Sequence, residues 1–134
     1  MPLANQELIV VEEPTQQHQA EFIGKIAQDL DIKKSIVLVL GSAPFPRSRL
    51  TESFLSYSIL IAEDLFIGLT DMEQKALIGH EMGHIIFMPP TCSNGMSCQI
   101  GADLFAARYT SPQAVIDMLG KLFRDPQWWR ESEE

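Results

Sequence analysis

Residues 70–90 read TDMEQKALIGHEMGHIIFMPP. Thr70 can accept a hydrogen bond from the third residue of a following helix, and Glu73 at that third position can reach back to the Thr70 backbone. That pair is a capping box and fixes a helix start. The spacing predicts a helix from Asp71 to about Phe87, stopped by Met88-Pro89-Pro90 because neither proline can donate a backbone hydrogen bond. Inside it lies His80-Glu81-Met82-Gly83-His84, an HExxH pattern. Two imidazoles at i and i+4 project from one helical face and can reach one metal ion. Glu81, offset around the helix, is placed to hold the metal-bound water and act as its general base. With three His and 11 Glu in the chain, chance yields such a pattern roughly once in two hundred comparable sequences. Gly83 is costly inside a helix, by about 1 kcal/mol, so its presence implies close approach by another element.

Moving outward, the chain has 134 residues, room for a single domain spanning 1–134. It is 46% hydrophobic and 21% charged, enough apolar content for a core. Ten Lys and Arg against 18 Asp and Glu give a net charge of −8. That balance argues against a nucleic-acid-binding surface and against adsorption to anionic lipid. No apolar run is long enough to span a bilayer. The N-terminus shows neither a basic n-region nor an apolar h-region, so a cytoplasmic protein is expected.

Thr15 is read as the cap of an amphipathic helix over 16–30, with Ala20, Ile23, Ala27 and Leu30 as its apolar face, joined by Phe22 and Ile26. Ile36–Leu40 is a β-branched run closed by Gly41, a buried-strand signal. Phe54–Ile61 is again strand-like, and Ala62–Leu69 is ambiguous between a short helix and a turn. Helices are expected over Gln99–Tyr109 and 112–123, the latter capped by Ser111 with Pro112 at its first position. Helix, strand, strand and three helices make an α+β fold, a short sheet packed on a helical half that carries the HExxH helix. Cys92 and Cys98 are read first as reduced thiols, then as a disulfide, then as metal ligands. The scattered Met72, Met82, Met88, Met96 and Met118 are read as core filler. His18, in a polar stretch, is an ordinary surface histidine.

The motif and its surroundings resemble the gluzincin zinc metallopeptidases, in particular the small minigluzincins and the catalytic core of the CAAX prenyl protease type. The resemblance covers roughly residues 54–123. It rests on Ser58-Ile59-Leu60-Ile61, Asp64-Leu65, Leu69-Thr70, Ala76-Leu77-Ile78-Gly79 before the motif, and Ala102-Asp103-Leu104-Phe105-Ala106-Ala107. It implies a zincin-like fold, a Zn2+ cofactor held by His80 and His84, and hydrolysis of a peptide or flexible protein segment. It further implies that the strand before the motif helix, about Tyr57–Ile61, forms the rim of the cleft and pairs with extended substrate.

The third family ligand is a glutamate four residues before the aspartate of the Ala-Asp pair. Gln99 stands there in this chain. By register Gln99 is the third ligand, through its amide oxygen; by ligand chemistry Asp103, one turn further on, is preferred. In the family that aspartate supports a ligand histidine instead. Tyr109 is read as a buried tyrosine at a helix end, with an oxyanion donor as the alternative. The alternative function is a catalytically weak or inactive zincin-fold binding or regulatory module, which the glutamine supports and intact Glu81 opposes. Trp128 and Trp129 near the C-terminus must bury a large apolar area against this domain, a second copy of it or its own cleft; a homo-oligomer through this tail, or occlusion of the cleft, is expected, with a tail that merely covers the helical face as the alternative.

Overall fold

The computed structural model describes residues 9–11, 19–42, 48–93 and 95–123. The Thr15 cap, His18, and the tail with Trp128 and Trp129 lie outside the described residues. The chain divides into two compact units, residues 1–68 and 69–134.

The first unit contains a four-stranded sheet. Its elements are β1 (Ile9–Val11), α1 (Ala20–Asp29), β2 (Ser35–Gly41), β3 (Ser48–Glu52), β4 (Ser56–Ala62) and the short α2 (Glu63–Ile67). The strand order is β1-β2-β4-β3. β1 and β2 run parallel, as a crossover through a helix requires. β2 and β4 are parallel, with Leu38 opposite Ile59, and β3 closes an antiparallel hairpin on β4. Ile36 and Leu38 on β2 and Ile59 and Ile61 on β4 are fully buried, the period-two signature of a covered sheet face. Ile23, Ile26 and Ala27 are the buried stripe of α1, in agreement with the apolar spacing.

Two expectations change here. β3 was not foreseen, because Ser-Arg-Leu-Thr-Glu is polar and half exposed as an edge strand is. Its presence also corrects the expected role of Tyr57–Ile61. That segment is hydrogen-bonded to β2 on one side and β3 on the other, so it has no free edge to offer a substrate strand.

The second unit is helical: α3 (Asp71–Gly83), α4 (Gly95–Tyr109) and α5 (Pro112–Phe123), each in contact with the other two. The capping box forms as expected: Glu73 N–H donates to Thr70 Oγ1 at 3.2 Å, and Thr70 N–H to Glu73 Oε1 at 2.8 Å. α5 starts with Pro112, and the Ala114 N–H donates to Ser111 Oγ at 3.0 Å. α3 ends four residues before the expected Phe87. From His84 to Ile86 the chain tightens to i→i+3 bonds, His84 to Glu81 at 3.1 Å, Ile85 to Met82 at 3.0 Å and Ile86 to Gly83 at 3.0 Å, so the regular α-helix ends before the prolines are reached. α4 begins earlier than the expected Gln99. Of the methionines read as core filler, Met82 and Met118 are buried, but Met72, Met88 and Met96 are exposed; they sit on a helix first turn, a loop and another first turn.

No helix among the described residues is long and apolar enough to cross a membrane.

Glu73 does more than cap. Its carboxylate also accepts from Lys121 Nζ of α5 at 2.7 Å, joining the first and last helices of the unit. Burial opposes the carboxylate's charge, but Lys121 and the Thr70 bonds outweigh it and hold its pKa below 4.5. A lowered folded pKa means the stabilisation is present above about pH 4.5 and is lost as pH falls through the folded value. Glu73→Ala should cost about 1–2 kcal/mol at neutral pH, mostly through the lost cap because Lys121 is partly exposed. Denaturant melts of Glu73→Gln should also show less acid destabilisation below pH 4.5 than the parent.

Candidate metal centre

His80, Glu81 and His84 belong to one turn of α3 and its cap, and Gln99 and Asp103 to α4. The helices approach closely because both contact residues are small. A Cβ on Gly83 would lie 3.0 Å from Ala102 Cα and 3.2 Å from the Phe105 ring. This is the close approach that a glycine inside the motif implies. It brings residue 103 within reach of residue 80.

His80 is buried, and its Nδ1 lies 2.7 Å from Asp103 Oδ1. An ionised carboxylate can only accept, so Nδ1–H donates and Nε2 presents its lone pair on the other side of the ring. His84 repeats the arrangement with a backbone partner. Its Nδ1 is 3.2 Å from the Phe87 carbonyl oxygen, which again can only accept. Both rings are thereby set as the same tautomer, and their Nε2 atoms converge at 3.3 Å. The rings meet edge to face, at 89°.

Two nitrogen lone pairs at that separation repel unless a proton or a cation lies between them. Two imidazoles on a tetrahedral zinc ion, each at about 2.05 Å, have nitrogens roughly 3.3–3.4 Å apart. The pair therefore already has the spacing of one edge of a zinc coordination tetrahedron. The orienting acceptor on each remote ring nitrogen is the usual accompaniment of a metal-ligating histidine.

Gln99 carries the other notable atom. Its Oε1 is buried and makes no hydrogen bond of good geometry, a cost of about 1–3 kcal/mol for a neutral acceptor. The oxygen lies near enough to His80 to favour the charged form of that ring. Burial opposes charge on His80. The Asp103 hydrogen bond, the charges of Glu81 and Asp103, and Gln99 together overcome it, so the pKa of His80 is raised above 6.5. Glu81 is buried beside these groups.

The expected residues are thus assembled in one place, with distinct positions. Asp103 sits behind His80, at its remote nitrogen. Gln99 offers a buried oxygen beside the same ring. Among the described residues no cluster of three or more His, Cys, Asp or Glu is arranged to hold a metal. Tyr109 is half buried and packs against Phe105, with centroids 5.1 Å apart and the rings inclined at 51°. No protein family, curated protein or solved structure matches the chain.

One feature was not foreseen. The Phe87 carbonyl that sets His84 is a backbone atom, and sequence carries no signal for it. Cys92 and Cys98, read first as reduced thiols and second as a disulfide, are joined in a disulfide. Their Cα atoms are 5.3 Å apart, because the segment after the motif folds back over the first turn of α4. Cys98 immediately precedes Gln99, so the bond anchors the start of the helix that carries Gln99 and Asp103. Closing a loop of six residues limits the unfolded chain by about 2 kcal/mol in the chain-entropy picture. Cys98→Ser should lower unfolding stability by about that amount, and dithiothreitol should do the same to the parent but not to the variant.

Proposed function

We propose that the chain is a zinc-dependent metallopeptidase of the gluzincin type, hydrolysing peptide bonds in a peptide or flexible protein segment. The observation that carries this reading is the 3.3 Å convergence of two Nε2 atoms, each freed for a metal by an acceptor on its Nδ1. The buried Gln99 oxygen, beside the His80 ring, supplies a third donor of suitable hardness. Asp103 holds His80 in register and raises its basicity as a ligand.

Zinc, when bound, would polarise the scissile carbonyl and lower the pKa of the attacking water. The chain's own contribution is the proton path. Glu81, next to His80 and buried, accepts the proton of that water as it attacks and delivers it to the leaving amine. Asp103 and the Phe87 carbonyl each accept from an Nδ1–H, which leaves the Nε2 side of His80 and of His84 to face the metal. The helical frame of α3 and α4 keeps the donors fixed, so little reorganisation accompanies the reaction.

Gln99 favours a second reading, a zincin-like binding or regulatory module with a weakened metal site. An amide lacks the charge of a carboxylate and holds zinc less tightly. The Cys92–Cys98 bond survives best in oxidising surroundings, which weighs against the cytoplasmic residence expected from the N-terminus. Association of copies through the Trp128–Trp129 segment belongs to this proposal and rests on the sequence alone.

Elemental analysis should find one zinc per chain in the parent and a large loss in His80→Ala and His84→Ala. Unchanged metal content in both variants removes the reading. Glu81→Gln should keep its zinc and lose peptide cleavage by at least about a hundredfold; a parent that binds zinc but is no faster than this variant is the binding module. Gln99→Glu should tighten zinc in a chelator competition, and no change there excludes Gln99 as a donor.

A further inference from the structure

We propose that Phe87, seated on Gly101 of α4, is a positioning residue for His84, setting which ring nitrogen faces the metal. This rests on the metal reading above for its consequence, and on the contacts of His84, Phe87 and Gly101 for its substance. His84 is the C-cap of α3 and lies where the helix unwinds, so its ring is not fixed by helix geometry alone. What holds it is the Phe87 carbonyl, at 3.2 Å from Nδ1. That distance is at the long limit of a good hydrogen bond and leaves little slack.

The carbonyl is itself fixed from two sides. The Phe87 N–H donates to Gly83 O at 2.8 Å. The Phe87 ring lies flat against residue 101, so closely that a Cβ there would stand 2.4, 2.7 and 2.9 Å from three of its carbons. Real Cβ contacts are not that short, so the ring and any side chain at 101 cannot coexist in this arrangement. Gly101 and Cys98 are three residues apart on α4 and share a face. The ring and the Cys92–Cys98 bond therefore fasten the segment after the motif to adjacent turns of one helix.

The sign of the test follows from the residue type. In open surroundings Gly→Ala inside a helix favours the helix. Gly101→Ala should instead displace Phe87, and with it the acceptor of His84. In long-range 1H–15N spectra of the metal-free parent, His84 should be the Nδ1–H tautomer. In Gly101→Ala that population should fall, and zinc affinity in a chelator competition should weaken about tenfold. Phe87→Leu combined with Gly101→Ala keeps the carbonyl and makes room for the new methyl, and should recover both signals toward the parent. A folded Gly101→Ala with the parent's tautomer overturns the proposal, as does a double variant no better than the single. If Gly101→Ala does not fold, Phe87→Leu alone decides: a mixed His84 tautomer supports the role, and an unchanged one overturns it. A parent that takes up no zinc defeats the metallopeptidase reading, while the tautomer measurements still test the role of Phe87.

Discussion

The contact of Gly83 with Ala102 is the constraint on which the helical unit depends. Only two residues this small let α3 and α4 come close enough for a Cβ on one to meet the Cα of the other at 3.0 Å. That separation sets how far an aspartate side chain on α4 must reach, and Asp103 reaches His80 with a short bond of 2.7 Å. A methyl at 83 would make Ala102 and Phe105 give by a few tenths of an ångström, and a side chain longer than that would carry Asp103 away from His80. The His80 ring would then lose its acceptor, its tautomer and its direction at once. The glycine's cost to helix propensity is therefore the cost of having a site between these two helices.

The rest of the helical unit supports that contact at its ends. Thr70 and Glu73 start α3 at a defined residue, which fixes the rotation at which His80 emerges ten residues after the cap. Glu73 reaches to Lys121 on α5, and the disulfide fastens the far end of the loop to α4. Between those fixed points the backbone after Gly83 can depart from the helix. It does so where His84 needs an acceptor that an α-helical continuation would withhold, since a helical Phe87 carbonyl points along the axis toward later residues and away from His84. The early end of α3 and the orientation of His84 are thus one event.

What could be read from the sequence was what local chemistry decides. The capping box, the Ser111-Pro112 start of α5, the apolar face of α1 and the paired histidines are short-range patterns, and each appears where the pattern put it. Gly83 was legible as a sign of close approach, although not of what approached. The errors have a common origin in long-range partners. β3 is polar because it sits at an edge, and nothing within Ser48–Glu52 reveals that β4 lies beside it. Tyr57–Ile61 looked like a rim strand until its two neighbours were known. Cys92 and Cys98 pair because the loop folds back onto α4, and Gly101 matters because of a ring fourteen residues earlier. A glycine inside a helix was informative in both places, and giving Gly101 the weight given to Gly83 would have found the Phe87 contact.

Charge gives the centre its particular character. On the proposed reading two neutral imidazoles and a neutral amide surround the cation, so the donors themselves cancel none of its charge. The compensating anions are Glu81, beside the first histidine, and Asp103, behind it. Asp103 is committed through Nδ1 of His80, and its charge acts through the ring. A carboxylate at 99 would neutralise the ion directly and hold it more firmly, while weakening its pull on a carbonyl or a water. Gln99 shifts that balance the other way, toward a looser and more electrophilic ion. Such a centre depends more than a carboxylate-bearing one on ligands already aligned in the absence of metal, because it has less attraction with which to draw them into place. The acceptors on both Nδ1 atoms, which turn both Nε2 atoms to one point, are what that dependence requires.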